Sequence, residues 1–349
     1  MKISPMKISR IYDAQVLDPV FFQSLDLFIF GTVTEEERNQ RVSELWGDKP
    51  KPPSYHLDYD LETEEYSLIS TPLGSIPSKE QLQKNKRDIT AYLRSHLLEI
   101  GARNKSILID ITGISQPAIF FILKLFYEDI PPARLFFAYT EPLRYRAKYL
   151  PPSEDVFELT ERFVGLKALP GFIRRPAGKE KRIVALLIGF EGKRPKYVCN
   201  TLDTKSDDIR VILGFPGFRP GWQYLAYGSN QSMFEHFQAH RFLSLAAANN
   251  PFEAYNSLED IRQNQIKQRI DSELIVAPVG TKPHSVAAAI FALHNSKTTR
   301  LVYDFPVKAK RYRTEGYGTT WIYNLSELMN ANNIEQSPAQ NHSQTNRRQ

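Results

Sequence analysis

The sequence holds one cysteine, Cys199, in 349 residues. An intrachain disulfide is therefore excluded, and so is a metal centre built from several thiolates. Such cysteine poverty fits a reducing compartment, and a cytoplasmic location is expected. Long apolar runs are also absent. No stretch approaches the ~20 apolar residues that a membrane-spanning helix needs, and the candidate near 119–126 is interrupted by Lys124. The opening MKISPMKISR lacks the apolar centre of a signal peptide. Several enzyme motifs are missing as well: no Gly-x-Ser-x-Gly elbow, no His-Glu-x-x-His helix and no Cys/His cluster. His236 and His240 have i, i+4 spacing without an evident third ligand. Cys199 has no evident base and reads as a small core residue. Neither a metal nor a cofactor is expected.

What is present suits a folded protein with a full core: 42% hydrophobic and 24% charged residues. The length argues for two subdomains. The net charge of +6 is spread along the chain rather than gathered in one run. It is compatible with nucleotides, phosphates or nucleic acid, with nucleic acid the less favoured partner.

Apolar runs of strand length alternate with segments of helical period, which predicts an α/β protein with mainly parallel sheets. Strands are expected near 25–30, 56–61, 66–70, 183–188, 211–213, 274–277, 301–303 and 320–325. Thr34 with Glu35, Glu36 and Glu37 marks a helix start, and Ser78 opens a long helix reaching Ile100, with Gly101 as its stop. Prolines, glycines and a charge run between 150 and 182 mark a boundary. Four regions follow: an N-terminal Rossmann-like half over 1–150, a linker over 151–182, a C-terminal Rossmann-like half over 183–329, and a disordered tail over 330–349 rich in Asn, Gln and Ser.

Two segments resemble each other. Residues 106–142 and 273–306 each run through an apolar strand, a Gly/Thr turn, a proline near a helix start, an apolar helix, and an Arg-Leu pair opening a second strand. That strand ends in Tyr, an acid and Pro: Tyr139, Glu141 and Pro142 in one, Tyr303, Asp304 and Pro306 in the other. Each unit is a βαβ crossover. An internal duplication and convergent patterning both explain the match.

In parallel sheets ligands bind at loops on the carboxyl ends of strands, where helix N-termini attract phosphate or carboxylate. The richest such loop is Gly280-Thr281-Lys282-Pro283-His284. Gly280 permits close backbone approach, Thr281 supplies a hydroxyl and Lys282 a positive charge. A plain turn with an exposed lysine is the alternative. It is not a Walker A loop, since the Gly-Lys-Ser/Thr ending is absent. His284 titrates near neutrality when unperturbed, yet a histidine satisfied by backbone serves equally well. Asp110, Thr112 and Gly113 form the corresponding turn of the first half; Asp110 suits a ribose hydroxyl, a metal or a helix cap. Arg313 opens a Gly- and aromatic-containing segment, 313–321, that reads as a ligand-closing lid or as a surface hairpin. Trp222 reads as a stacking platform or as core.

At Gly280-Thr281-Lys282-Pro283-His284 the sequence resembles the CRISPR-associated Rossmann-fold (CARF) sensors and related Rossmannoid proteins of bacterial defence loci. The resemblance covers 274–293. It implies a strand-end Gly-Thr-Lys turn lining a cyclic-oligonucleotide pocket, a place in a bacterial antiviral system with protein partners, and a homodimer as one assembly. The chain departs from typical sensors in lacking a recognisable nuclease, protease or HEPN effector segment.

The expected function is thus sensing of a nucleotide or other phosphorylated small molecule, with no membrane role. Lys282 and Thr281 would hold the anion, Arg313 would close over it, and Asp110 or Glu141 would contact ribose. The rivals are an enzyme cleaving a phosphodiester or N-glycosidic bond, with His284 or Glu141 moving protons, and a scaffold with a vestigial crevice.

Overall fold

In the computed structural model the described residues are 11–32, 36–47, 50–61, 63–73, 75, 77–145, 160–173, 181–269, 272–308 and 314–330. Residues 331–349 of the expected tail and the Thr34 helix start lie outside them. Among the described residues, eight strands form a first sheet in the order Ile11–Asp13, Thr314–Asn324, Arg134–Tyr145, Ser106–Asp110, Leu27–Phe30, Ser54–Tyr59, Glu65–Ser70 and Arg87–Asp88. The four strands from Arg134–Tyr145 to Ser54–Tyr59 are parallel, and those flanking them are antiparallel. A second sheet runs Leu243–Ala246, Ile209–Gly214, Lys181–Ile188, Ser272–Pro278, Thr299–Tyr303 and Lys167–Ala168, parallel except for the last. The α/β class holds and both sheets contain parallel strands, but the first is mixed, so mainly parallel describes only the second.

The two sheets share a plan. In chain order the first half places its parallel strands fourth, third, first, second. The second half repeats that order and direction, then adds Leu243–Ala246 at the edge. The crossover helices Gln116–Glu128 and Lys282–His294 correspond, and both belong to the central core, with Phe120 and Phe291 among their buried rings. Their apolar residues surround the whole helix rather than one stripe, as a helix packed on several sides requires.

Strand alternation divides the cores. Ile183, Ala185 and Leu187 face the central core, while Val184, Leu186 and Ile188 face a second one with Val198, Cys199 and Phe234. In the first sheet Phe28 and Phe30 turn to a third cluster around Trp46 and Phe22. Each fully buried side chain of this size contributes about 1.5–3 kcal/mol.

Three expectations change. The final strand, Thr314–Asn324, hydrogen-bonds to Arg134–Tyr145 and so joins the first sheet, although its residues were assigned with the half over 183–329. Residues 314–321 of the segment expected as a lid or a hairpin belong to this strand, and beyond them Ile322 and Tyr323 are fully buried, so apolar burial fixes the pairing. The linker region 151–182 contains strands Thr160–Phe163 and Lys167–Ala168 and the start of Lys181–Ile188. The long helix after Ser78 is split into Lys79–Lys84 and Ile89–Glu99 by a two-residue strand, Arg87–Asp88. There Lys86 reaches Asp60 at 2.8 Å and Arg87 pairs with Tyr66, so tertiary contacts override helical propensity. The Ser78 start and the left-handed Gly101 stop hold, and the structure adds a capping box between Ser78 and Gln81.

Candidate functional site

A chain that leaves its first strand to one side and later returns on the other creates a switch point, where the loops at the strand ends diverge. Here one switch lies between Leu27–Phe30 and Ser106–Asp110, the other between Lys181–Ile188 and Ser272–Pro278. Glycines let the two turns of each switch touch. A Cβ on Gly31 would lie 2.5 Å from the Gly113 carbonyl carbon, and one on Gly280 would lie 2.6 Å from the Ile188 carbonyl oxygen. No side chain tolerates either approach.

Both switch points line one cavity of about 500 Å³ between the halves. That volume lies within the range of small-molecule sites. Gly280, Thr281 and Lys282 line it from the second half, and Thr112 and Gly113 line it from the first. The Lys282 ammonium crosses between halves to donate to the Thr112 carbonyl. Thr281 caps its helix, accepting from the His284 N–H at 3.3 Å and donating to the Ala248 carbonyl at 2.8 Å. Behind this rim the halves are tied by Tyr303 donating to Gln116 (2.6 Å) and Gln116 donating to Ser285 (2.7 Å).

Other expected residues are elsewhere. His284 does not line the cavity; it is fully buried with Nε2 donating to the Ala247 carbonyl at 2.9 Å. Burial holds its pKa down to about 4, although the Ala247 hydrogen bond and Glu253 oppose the shift. Asp110 is buried below the rim and accepts from the Thr112 N–H at 3.0 Å. Burial pushes it up to about 6 against the pull of Thr112, Lys282 and Arg38. Glu141 is also outside the lining, accepting from Trp321 Nε1 at 2.7 Å and Asn249 at 3.2 Å. Burial raises its pKa despite those bonds. Arg313 falls outside the described residues, while its neighbour Thr314 lines the cavity. Trp222 lines it too, its ring centre 5.0 Å from that of Tyr145 and 5.9 Å from that of Phe190.

Sequence reading missed a matched pair of arginines at the wall, Arg194 buried and Arg38 half-buried. Arg38 donates to Glu36 at 2.6 Å and to the Tyr139 hydroxyl and Thr140 carbonyl at 3.2 Å, with its guanidinium carbon 5.7 Å from the Tyr139 ring centre. Arg194 donates twice to Asp304, at 2.8 and 2.7 Å, and to the Val279 carbonyl at 3.1 Å; the Tyr303 ring centre is 5.5 Å away. Burial alone would raise the Glu36 pKa, but Arg38, Thr314 and Lys282 together hold it below the usual carboxylate range. A signal existed: each half has an acid and then an arginine shortly after its first strand-end glycine, Gly31 to Glu36 and Arg38, Gly189 to Glu191 and Arg194.

The arrangement can orient and partly enclose a small polar ligand carrying a flat ring. Among the described residues no group of His, Cys, Asp and Glu is placed to hold a metal ion. His236 and His240 fall on separate helical segments, and Cys199 is buried with its thiol pushed up to about 12, which leaves it inert as a nucleophile. No helix among the described residues is long and apolar enough to cross a membrane. No protein-family model matches the chain, and no characterised protein matches it significantly.

Proposed function

We propose that this protein binds a phosphorylated small molecule, a nucleotide foremost, in the cavity between its halves. The convergence of two switch points on one cavity carries the reading: it brings the helix start at Lys282, the turn at Thr112 and aromatic rings to one wall. Two lining arginines are already paired with carboxylates, Arg38 with Glu36 and Arg194 with Asp304. Anion recognition then falls to Lys282 and backbone N–H groups. His284 and Glu141 lie outside the lining, so binding with release of intact ligand is favoured over cleavage. The likeness of the Gly280–Lys282 turn to CARF sensors extends the ligand class to cyclic oligonucleotides and the role to a sensor component of bacterial antiviral defence.

Thermal unfolding with nucleoside mono-, di- and triphosphates and cyclic oligonucleotides tests this. A bound ligand at about 100 times its Kd adds roughly 2.7 kcal/mol of stability. Intact ligand should be recovered afterwards, and Lys282→Ala should abolish the stabilisation. Recovery of cleaved product would make the protein a hydrolase. No stabilisation across the panel would leave the scaffold reading.

A further inference from the structure

The corresponding helix starts of the two halves are not equivalent. Thr281 caps the Lys282–His294 helix with its own hydroxyl. Ser115 occupies the same position before Gln116–Glu128 and makes no capping hydrogen bond. Its Oγ is buried with no hydrogen-bond partner, although Ser115 lines the cavity and is only half-buried as a residue. A rotation about χ1 can therefore turn the hydroxyl into the cavity without breaking a bond. The 13-residue helix behind it has its first-turn N–H groups uncapped by this side chain, with its dipole directed at the same place. The positive charge of Lys282, supplied by the other half, already lies at Thr112 in this turn.

A second observation is independent of the helix. Asn39, from the 3-10 turn Glu37–Gln40 that follows the neighbouring strand Leu27–Phe30, lines the same cavity and is 7% exposed. Its Oδ1 is buried without a partner. A buried acceptor left unpaired is costly, and a turn of the carboxamide toward the cavity would let a ligand donor satisfy it. Donors thus gather at Ser115 and Lys282, and an acceptor waits at Asn39. A phosphate ester with a hydroxyl or amino donor beside the phosphate meets both demands.

We propose that the ligand's phosphate sits on the first half's Thr112–Gln116 turn, held by Ser115 Oγ, the open helix start and Lys282, while Asn39 accepts a hydrogen bond from the attached nucleoside. This rests on the nucleotide-binding reading and moves the anion from the Gly280–Lys282 turn to its counterpart across the cavity.

Titration calorimetry on the full chain with AMP and with inorganic phosphate tests it. Wild type should bind AMP more tightly than phosphate. Ser115→Ala should weaken both at least tenfold while leaving the melting temperature of the empty protein unchanged. Asn250→Ala, which removes a working helix cap outside the lining, should lower that temperature and keep AMP affinity. Asn39→Ala should erase the advantage of AMP over phosphate. If Lys282→Ala loses AMP but Ser115→Ala binds it as wild type does, the seat is wrong and the nucleotide reading stands. If wild type binds neither probe, the seat is overturned, and the nucleotide reading falls with it only when the wider nucleotide panel also fails to stabilise the protein.

Discussion

Asp110 illustrates how one residue carries opposite demands. It terminates a buried strand, organises the Thr112 turn through a 3.0 Å hydrogen bond, and pays for its burial with a pKa near 6. A carboxyl whose folded pKa is raised is stabilising only when protonated, so it penalises the fold above pH 6 and ceases to do so below about 4. Asp110→Asn keeps the acceptor oxygen and removes the charge. It should raise stability by about 1–3 kcal/mol at pH 7.5, and the gain should vanish by pH 4. Urea midpoints of the two proteins at both pH values check this. An equal gain at both would show that the charge is not the cause.

At the scale of elements, the last strand matters most. Thr314–Asn324 pairs along Arg134–Tyr145 and supports Leu325, Leu328 and Met329 in the central core. A fragment covering 1–150 therefore lacks an inner strand of its own sheet, and its Arg134–Tyr145 edge is exposed to pairing between molecules. Such a fragment should show no cooperative urea transition and should associate on size-exclusion chromatography. A monomer with a sharp transition would mean that the first half folds without its returning strand. The sequence placed this strand but not its partner, because antiparallel pairing over 180 positions leaves no local mark. The broken helix after Ser78 has the same origin: Lys86 and Arg87 suit a helix until Asp60 and the Glu65–Ser70 strand compete for them.

For the whole molecule, two buried histidines and one half-buried one govern the response to acid. Burial holds His56, His284 and His294 near pKa 4, opposed at His284 by Ala247 and Glu253 and at His294 by Leu328. A histidine whose folded pKa is depressed binds its proton more readily when unfolded. Stability is therefore full above pH 6.5 and falls as pH drops toward 4. Three such groups outweigh Asp110, which acts in the other direction. Calorimetric unfolding should show a continuous loss below pH 6.5, and replacing His294 with Gln should flatten it. A profile level from pH 7 to 5 would mean that these rings reach water in the folded state.

The sequence alone determined the α/β class, the matched crossovers at 106–142 and 273–306, and the rim residues Gly280, Thr281, Lys282, Thr112 and Gly113. Those are local signals: strand period, strand-end glycine, proline in the first helical turn. Tertiary structure decided what those turns face. It drew His284 and Glu141 out of the cavity, because each found a partner in another segment, Ala247 for one and Trp321 for the other. It brought Arg38, Arg194, Ser115 and Asn39 to the wall. Their roles depend on which polar atoms were left paired and which were not, and pairing across the chain becomes fixed only once the sheets have packed.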